Sequence, residues 1–199
     1  MLTLSLDTTG AACACALVDG GRILASSSER IGRGHAERLA PMARDCLAAT
    51  SLTIPDIERI AVCSGPGSFT GLRVALAFAK GLALPRKIPV IGLSALQVHA
   101  ARHDPERQRR ILSFTDVRRG ELCFQLFEGG APLTPAITQK AAEARAFMAA
   151  QDAFVTELTG SISAPLLGWL AMDVDPQLYP AKPLYSRPPD AKLPGGIDP

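Results

Sequence analysis

No two of the five cysteines in this 199-residue chain are spaced C-x-x-C, and none has a histidine at zinc-site spacing. An odd set of this kind, Cys13, Cys15, Cys46, Cys63 and Cys123, argues against a disulfide framework or a structural zinc site and reads as reduced, mostly buried thiols. A cytosolic compartment is expected. Cys13 and Cys15 lie two apart in a strand-like run, so they face the same way and pack as small apolar residues rather than bridging each other. An excess of charge of one sign is also missing. Lys and Arg number 21 against 19 Asp and Glu, a net charge of +2, too weak a field to argue for nucleic acid. Arginines gather locally at Arg102, Arg107, Arg109, Arg110, Arg118 and Arg119, a cluster read as solvated surface with phosphate contact as the alternative. Long apolar runs are absent too, because Arg73 and Lys80 interrupt the greasiest stretch, so no membrane-spanning helix is expected. The start, "MLTLSLDTTGA", has no positive region and Asp7 breaks its apolar run, so it does not read as a secretory leader.

What is present is enough apolar sequence, 47%, to bury a core as one domain or two small lobes. "LTLSLDTT", "AACACALVDGG" and "RILASSSERI" read as three strands of an antiparallel meander, with turns at Thr9-Gly10 and at Asp19-Gly20-Gly21. "HAERLAPMARDCLAATS" places Leu39, Met42, Cys46 and Ala49 at helical steps and predicts an amphipathic helix. A strand at "IERIAVCS", a helix behind "GPGSFTG", a strand at "PVIGLS" and a helix at "ALQVHAARH" follow.

After residue 110 the pattern starts again. "ILSFTDVRRGELCFQLFEGG" repeats the strand, terminal aspartate, turn, Cys-bearing strand and acidic-Gly-Gly turn of the opening segment. Asp7 aligns with Asp116 and, with one residue inserted in the second turn, Cys13 aligns with Cys123. The pattern suggests an internal duplication. A helix around "QKAAEARAFMAAQ", a strand at "AFVTELTG" and a short helix at "APLLGWLAMD" complete the second half. The tail "PAKPLYSRPPDAKLPGGIDP" is expected to be extended or disordered. The division expected is a first lobe over 1–104 and a reduced second lobe with its Pro/Gly-rich tail over 105–199.

Gly65, Gly67 and Gly71 form G-x-G-x-x-x-G, one residue longer than the dinucleotide fingerprint, and no G-K-[ST] follows to make a P-loop. The turn can hold an anion at the helix N-terminus or simply allow a tight strand-to-helix passage. The helix behind it carries only Arg73 and Lys80 as charges up to Leu84. Its small residues Gly67, Gly71, Ala75 and Ala79 recur every four positions, a stripe that lets another helix approach closely. A partner surface is the expectation, and burial under the second lobe the alternative. Asp7 and Asp116 end strands beside turns; each can hold a magnesium-bound water in a phosphotransfer site or cap turn amides. His99 and His103 stand four apart, yet H-A-A-R-H lacks the glutamate of a zincin motif and no third ligand lies nearby in sequence. No metal site and no catalytic residue is expected.

The segments "LSLDTT", "HAERLAPM", "GPGSFTGLRVALAFAKGLA", "PVIGLSAL" and "DVRRGELCF" resemble the TsaB/YeaZ family of tRNA threonylcarbamoyladenosine biosynthesis, closely over the first two-thirds of the chain. The resemblance implies an α/β, actin-like fold of two related lobes with mixed sheets flanked by helices, the second lobe abridged. It implies a non-catalytic cytoplasmic subunit that docks on the related transferase TsaD, which works with TsaE, ATP and magnesium, so that tRNA is met only through the complex. It also implies a homodimer when the chain is alone and no tightly bound cofactor of its own. The docking residues it implies are His35, Glu37, Leu39, Met42 and Cys46 on the first helix and Phe69, Gly71, Leu72, Ala75, Leu76 and Ala79 on the second. Asp7, Gly65 and Gly67 remain as a possible phosphate or nucleotide site, since a small actin-like ATPase or kinase is the rival reading. The third rival, a metallopeptidase, fares worst: the related H-x-x-x-H pair falls on Ala95 and His99, and is broken.

Overall fold

The computed structural model describes residues 1–187. Two mixed five-stranded sheets, flanked by helices, make up the molecule. The first has the order β3-β2-β1-β4-β5, from β1 (Thr3–Asp7), β2 (Ala12–Asp19), β3 (Arg22–Arg30), β4 (Arg59–Cys63) and β5 (Val90–Leu93). The first three strands form the antiparallel meander; β4 and β5 join it in parallel, through helical crossovers. The second sheet runs β10-β6-β7-β8, with β9 also pairing β7, from β6 (Arg110–Asp116), β7 (Glu121–Glu128), β8 (Ala131–Pro132), β9 (Ile137–Lys140) and β10 (Phe154–Glu157).

The duplication is written in this topology. Each sheet has a central strand paired antiparallel to the next strand and parallel to a strand that returns after a helix. The register corrects the alignment drawn from sequence. Leu6 lies opposite Cys15, and Thr115 opposite Cys123; the equivalent of Cys123 is therefore Cys15, not Cys13, and the second turn is one residue shorter, not longer. Side chains on a strand alternate between faces, so pairing fixes equivalence where a thin identity cannot.

Helices α1 (His35–Ala48) and α2 (Phe69–Ala83) cover one face of the first sheet, burying Leu39, Met42, Leu76 and Ala79 against Leu4, Leu6, Cys15 and Val62. The other face receives α5 (Ala164–Met172), which comes from the far half of the chain. Its approach is set by residues at both ends. Ser5 Oγ donates to the Ala164 carbonyl (2.6 Å) at the start of α5, and the Arg59 guanidinium donates to the Ala171, Met172 and Val174 carbonyls at its end, a cation on the orphan carbonyls of a helix C-terminus. A Cβ at Gly168 would stand 2.7 Å from Val18, so glycine lets the helix lie this close. A cut at 104/105 thus separates the two sheets but not all of the packing, because α5 belongs with the first.

Helix α3 (Ala95–His103) is wedged between the sheets. Ala95 and Val98 pack toward Ile91 and Leu93, while Leu96 and Ala100 pack toward Ile111, Cys123 and Phe127. Helix α4 (Ala141–Ala149) covers the outer face of the second sheet, with Ala144 and Met148 against Leu122, Phe124 and Leu126. All five cysteines are free and buried. Among the described residues no helix is long and apolar enough to cross a membrane.

Candidate docking surface

Close backbone packing accounts for the three glycines of the turn. A Cβ at Gly71 would stand 1.9 Å from the Thr8 carbonyl oxygen, one at Gly67 2.6 Å from that of Thr9, and one at Gly65 2.9 Å from that of Leu184. Only residues without a side chain allow these approaches, and Gly65 also needs its φ of +102°. The turn is stitched in place by Ser68 N–H to the Thr9 carbonyl (2.7 Å) and Thr8 Oγ to the Gly71 carbonyl (2.6 Å). Ser68 caps α2, its Oγ accepting from Gly71 N–H (3.3 Å).

The small-residue stripe faces inward, against expectation. Leu72, Ala75 and Ala79 are 0% exposed, and Gly71 and Leu76 are buried with them. On α1, Leu39, Met42 and Cys46 are likewise part of the core. Of the docking residues expected from sequence, eight therefore pack inside the chain itself; only Glu37 and Phe69 are exposed, with His35 half-buried. The physical reason is that a stripe without bulk permits close approach by any neighbour. Here the neighbour is the chain's own β1 and its turn.

The outward side of α2 is nonetheless poor in charge, while that of α1 mixes small residues with charged ones. On α2, Phe69, Thr70, Arg73, Ala77, Lys80 and Gly81 are exposed and Val74, Phe78 and Leu82 half-buried; Leu84, just beyond, is 78% exposed. On α1, which packs beside α2, Ala36, Glu37, Ala40, Arg44, Asp45 and Ala48 are exposed and Arg38 and Pro41 are half-buried. Among them stands a set of small exposed residues on the two adjoining helices, Ala36 and Ala40 with Ala77 and Gly81, next to half-covered Val74, Phe78 and Leu82. It has the close-approach property that the sequence assigned to the neighbouring stripe.

Between the lobes lies a cleft of about 1040 Å³, with Thr9, Gly10, His35, Ser68 and Thr70 on one side and Thr115, Asp116, Arg118 and Arg187 on the other. The two strand-ending aspartates flank it with the same turn. Asp7 Oδ1 accepts from Thr9 N–H (2.9 Å) and Thr9 Oγ (2.6 Å), and Asp116 Oδ1 accepts from Arg118 N–H (2.6 Å), an Asx turn in each lobe. Asp7 is buried, its second oxygen has no partner, and burial pushes its carboxyl pKa up. Both His35 Nε2 and Asp7 Oδ2 are buried without a hydrogen bond.

A second feature of the cleft was not visible in the sequence. Residues 180–187, expected to be extended or disordered, run along β5 and the glycine turn: Ile91 bridges Pro180 and Leu184 N–H donates to the Ser64 carbonyl (2.7 Å). Tyr185 stacks on Phe69 with ring centres 5.1 Å apart, and Arg73 lies 3.7 Å above the Phe69 ring while its Nε donates to the Tyr185 hydroxyl (3.1 Å). Arg187 then reaches the other lobe, donating to Glu121 (2.5 Å) and to the Val117 carbonyl (3.0 Å). An aromatic and an arginine spaced in a proline-rich run are anchors of this kind. Residues 188–199, where the rest of the tail expected to be extended or disordered falls, lie outside the described residues.

The remaining candidates resolve into structure. His99 Nε2 sits 3.1 Å from Thr156 Oγ, and burial, with His103 and Arg102 nearby, lowers its pKa to about 4. Among the described residues no group of three or more metal-ligating side chains is assembled. In the arginine cluster, Arg107 pairs with Asp173 (3.3 Å) and Arg110 with Glu128 (2.9 Å).

Comparison with known proteins places these features. Residues 23–152 match the family model described as TsaD, tRNA N6-adenosine threonylcarbamoyltransferase. The Escherichia coli (strain K12) protein named tRNA threonylcarbamoyladenosine biosynthesis protein TsaB is 37% identical over 123 residues, covering 61% of this chain and 53% of that protein. A Pelobacter propionicus protein named tRNA N6-adenosine threonylcarbamoyltransferase is 34% identical over 115 residues, half of this chain and 34% of that one. The solved structure of YeaZ from Pseudomonas aeruginosa superposes with a TM-score of 0.69 at 26% identity, covering 92% of this chain and 99% of that one. The chain spans about half the length of the curated TsaB relatives it matches.

Proposed function

The chain belongs to the tRNA N6-adenosine threonylcarbamoyltransferase (TsaD) family, on its TsaB/YeaZ branch, and from that membership we propose that it is a non-catalytic, cytoplasmic subunit in the formation of threonylcarbamoyladenosine on tRNA. It docks on a TsaD-type transferase through the outer face of α1 and α2. TsaE, ATP and magnesium act with that partner, and tRNA is met through the complex. Alone, the chain closes a homodimer through the same face.

The observation that carries the reading is the run of Ala36, Ala40, Ala77 and Gly81 on adjoining helices, with half-covered Val74, Phe78 and Leu82 between them and the core. Covering such a face removes apolar area from water at roughly 25 cal/mol per Å² and lets helix backbones come close. Close backbone packing gives Gly65, Gly67 and Gly71 a structural reason that needs no phosphate.

Co-expression with the TsaD-family transferase of the same genome tests the proposal. Wild-type chain and Ala146→Arg, on exposed α4, should co-purify with it; Ala77→Arg and Ala40→Arg should not, while keeping the wild-type melting temperature. Co-purification of both latter variants would overturn the docking face. Calorimetric titration of the isolated chain with Mg-ATP should give no one-site binding in the micromolar range; a clear isotherm would instead favour the kinase-like reading of the cleft.

A further inference from the structure

Cys15 lies on β2 and Cys46 two residues from the end of α1, and their sulfurs are 3.1 Å apart inside the first core. A disulfide needs about 2.05 Å, so the two atoms are about 1 Å from bonding distance, on two elements already packed together. Cys15 is fully enclosed, whereas Cys46 is 5% exposed. Around the pair stand Cys13, which shares the inward face of β2, and Arg38 and Asp45 of α1, Arg38 being ion-paired to Glu29 of β3. The pair is polarised. The hydrogen bond between the sulfurs lowers the Cys46 thiol from its usual range and pushes that of Cys15 up, so Cys46 is the more readily ionised of the two.

The geometry points to an oxidation site: Cys15 and Cys46 form a reversible intramolecular disulfide that staples α1 to the central sheet, with a peroxide as the oxidant. In the first step the Cys46 sulfur attacks a peroxide oxygen; an S–O bond forms, the O–O bond breaks, and hydroxide leaves to take a proton as water. In the second, the Cys15 sulfur attacks the Cys46 sulfur; the S–S bond forms, the S–O bond breaks, and the departing hydroxide takes the Cys15 proton. Two thiols and one hydrogen peroxide become one disulfide and two waters, the two electrons passing from sulfur to peroxide. A thiol reductant reverses the change. The inference goes beyond the docking role and does not depend on it.

The test uses the full chain treated with hydrogen peroxide, blocked with an alkylating agent and mapped by mass spectrometry. The expected result is a cross-linked peptide pair joining Cys15 to Cys46, lost on reduction, with Cys13, Cys63 and Cys123 still alkylated after denaturation. The oxidised chain should melt roughly 5–10 °C higher than the reduced one, because the bridge constrains the unfolded chain between residues 15 and 46. In Cys15→Ala the rise should vanish and Cys46 should remain as a sulfenic acid that a 1,3-diketone probe captures. A bridge joining Cys46 to Cys13, a bridge between two molecules, or five titratable thiols after treatment would each overturn the assignment, and the wild-type map decides it even if the variant fails to fold.

Discussion

In the first lobe a nine-residue β3 completes the meander and a 14-residue α1 follows it; in the second the same place is held by β8, of two residues, and β9, of four, followed by a nine-residue α4. The hairpins that head the two lobes keep the same pairing and the same Asx turn at Asp7 and Asp116. The helices over them do not carry the same surfaces. α1 is joined by α2, so the first sheet carries a pair of helices whose outer sides mix alanines and glycine with Glu37, Arg44, Asp45, Arg73 and Lys80, whereas α4, with Ala142, Ala146 and Ala149 exposed beside Glu143 and Arg145, stands alone on the outer face of the second sheet. A duplicated frame has thus kept its turn chemistry in both copies, while one copy holds the broad helical face and the other a reduced cover.

The comparison breaks most severely if the inward stripe is not structural. Leu72→Glu places an unpaired carboxylate where nothing is exposed, which should cost roughly 4 kcal/mol or more and leave the chain largely unfolded by circular dichroism. Gly71→Ala should follow closely, because the added methyl meets the Thr8 carbonyl oxygen; about 2–4 kcal/mol is expected in urea titration. A wild-type midpoint for either would show that α2 sits differently on the sheet.

Next in size is the link between lobes. Arg187→Ala removes bonds to Glu121 and to the Val117 and Arg118 carbonyls, all partly exposed, so about 1–2 kcal/mol should be lost. Fluorescence-detected melting reads that loss, and an unchanged midpoint would mean that the 180–187 segment is not anchored there.

The smallest effect separates the twin aspartates by pH. Burial raises the Asp7 pKa above 3.8 in the folded chain, so the folded state holds the proton more tightly than the unfolded one. Stability from this group is therefore full below 3.8 and is lost as pH rises through the folded value. Relative to wild type, Asp7→Asn should remove that component, so the difference in melting temperature between the two should change over this window and be flat above it. A constant difference throughout would contradict a buried carboxyl whose desolvation outweighs its hydrogen bonds from Thr9.

Much of the fold was legible because its signals are local. Ser68, Ser94 and Ser163 each cap a helix through their own hydroxyls, and the three-four spacing of Leu39, Met42 and Cys46 marks the buried side of α1. β8 and β9 were not legible, since two and four residues beside Pro132 and Pro135 offer no period to read. Of the proposed site, helices α1 and α2 were legible as elements, but which of their residues face outward was not. Gly71, Ala75 and Ala79 signal close approach, but a sequence does not say whose backbone approaches, and the docking residues chosen from it fell mostly on the covered side.

The most direct measurement is the alkylation rate of cysteines placed on the two contrasting helical faces, Ala77→Cys on α2 and Ala146→Cys on α4, with and without the TsaD-family partner. Labelling at position 77 should slow by about tenfold or more when the partner is added, and labelling at position 146 should not change. Equal rates at position 77 with partner present and absent, in a mixture shown to associate, would contradict the account.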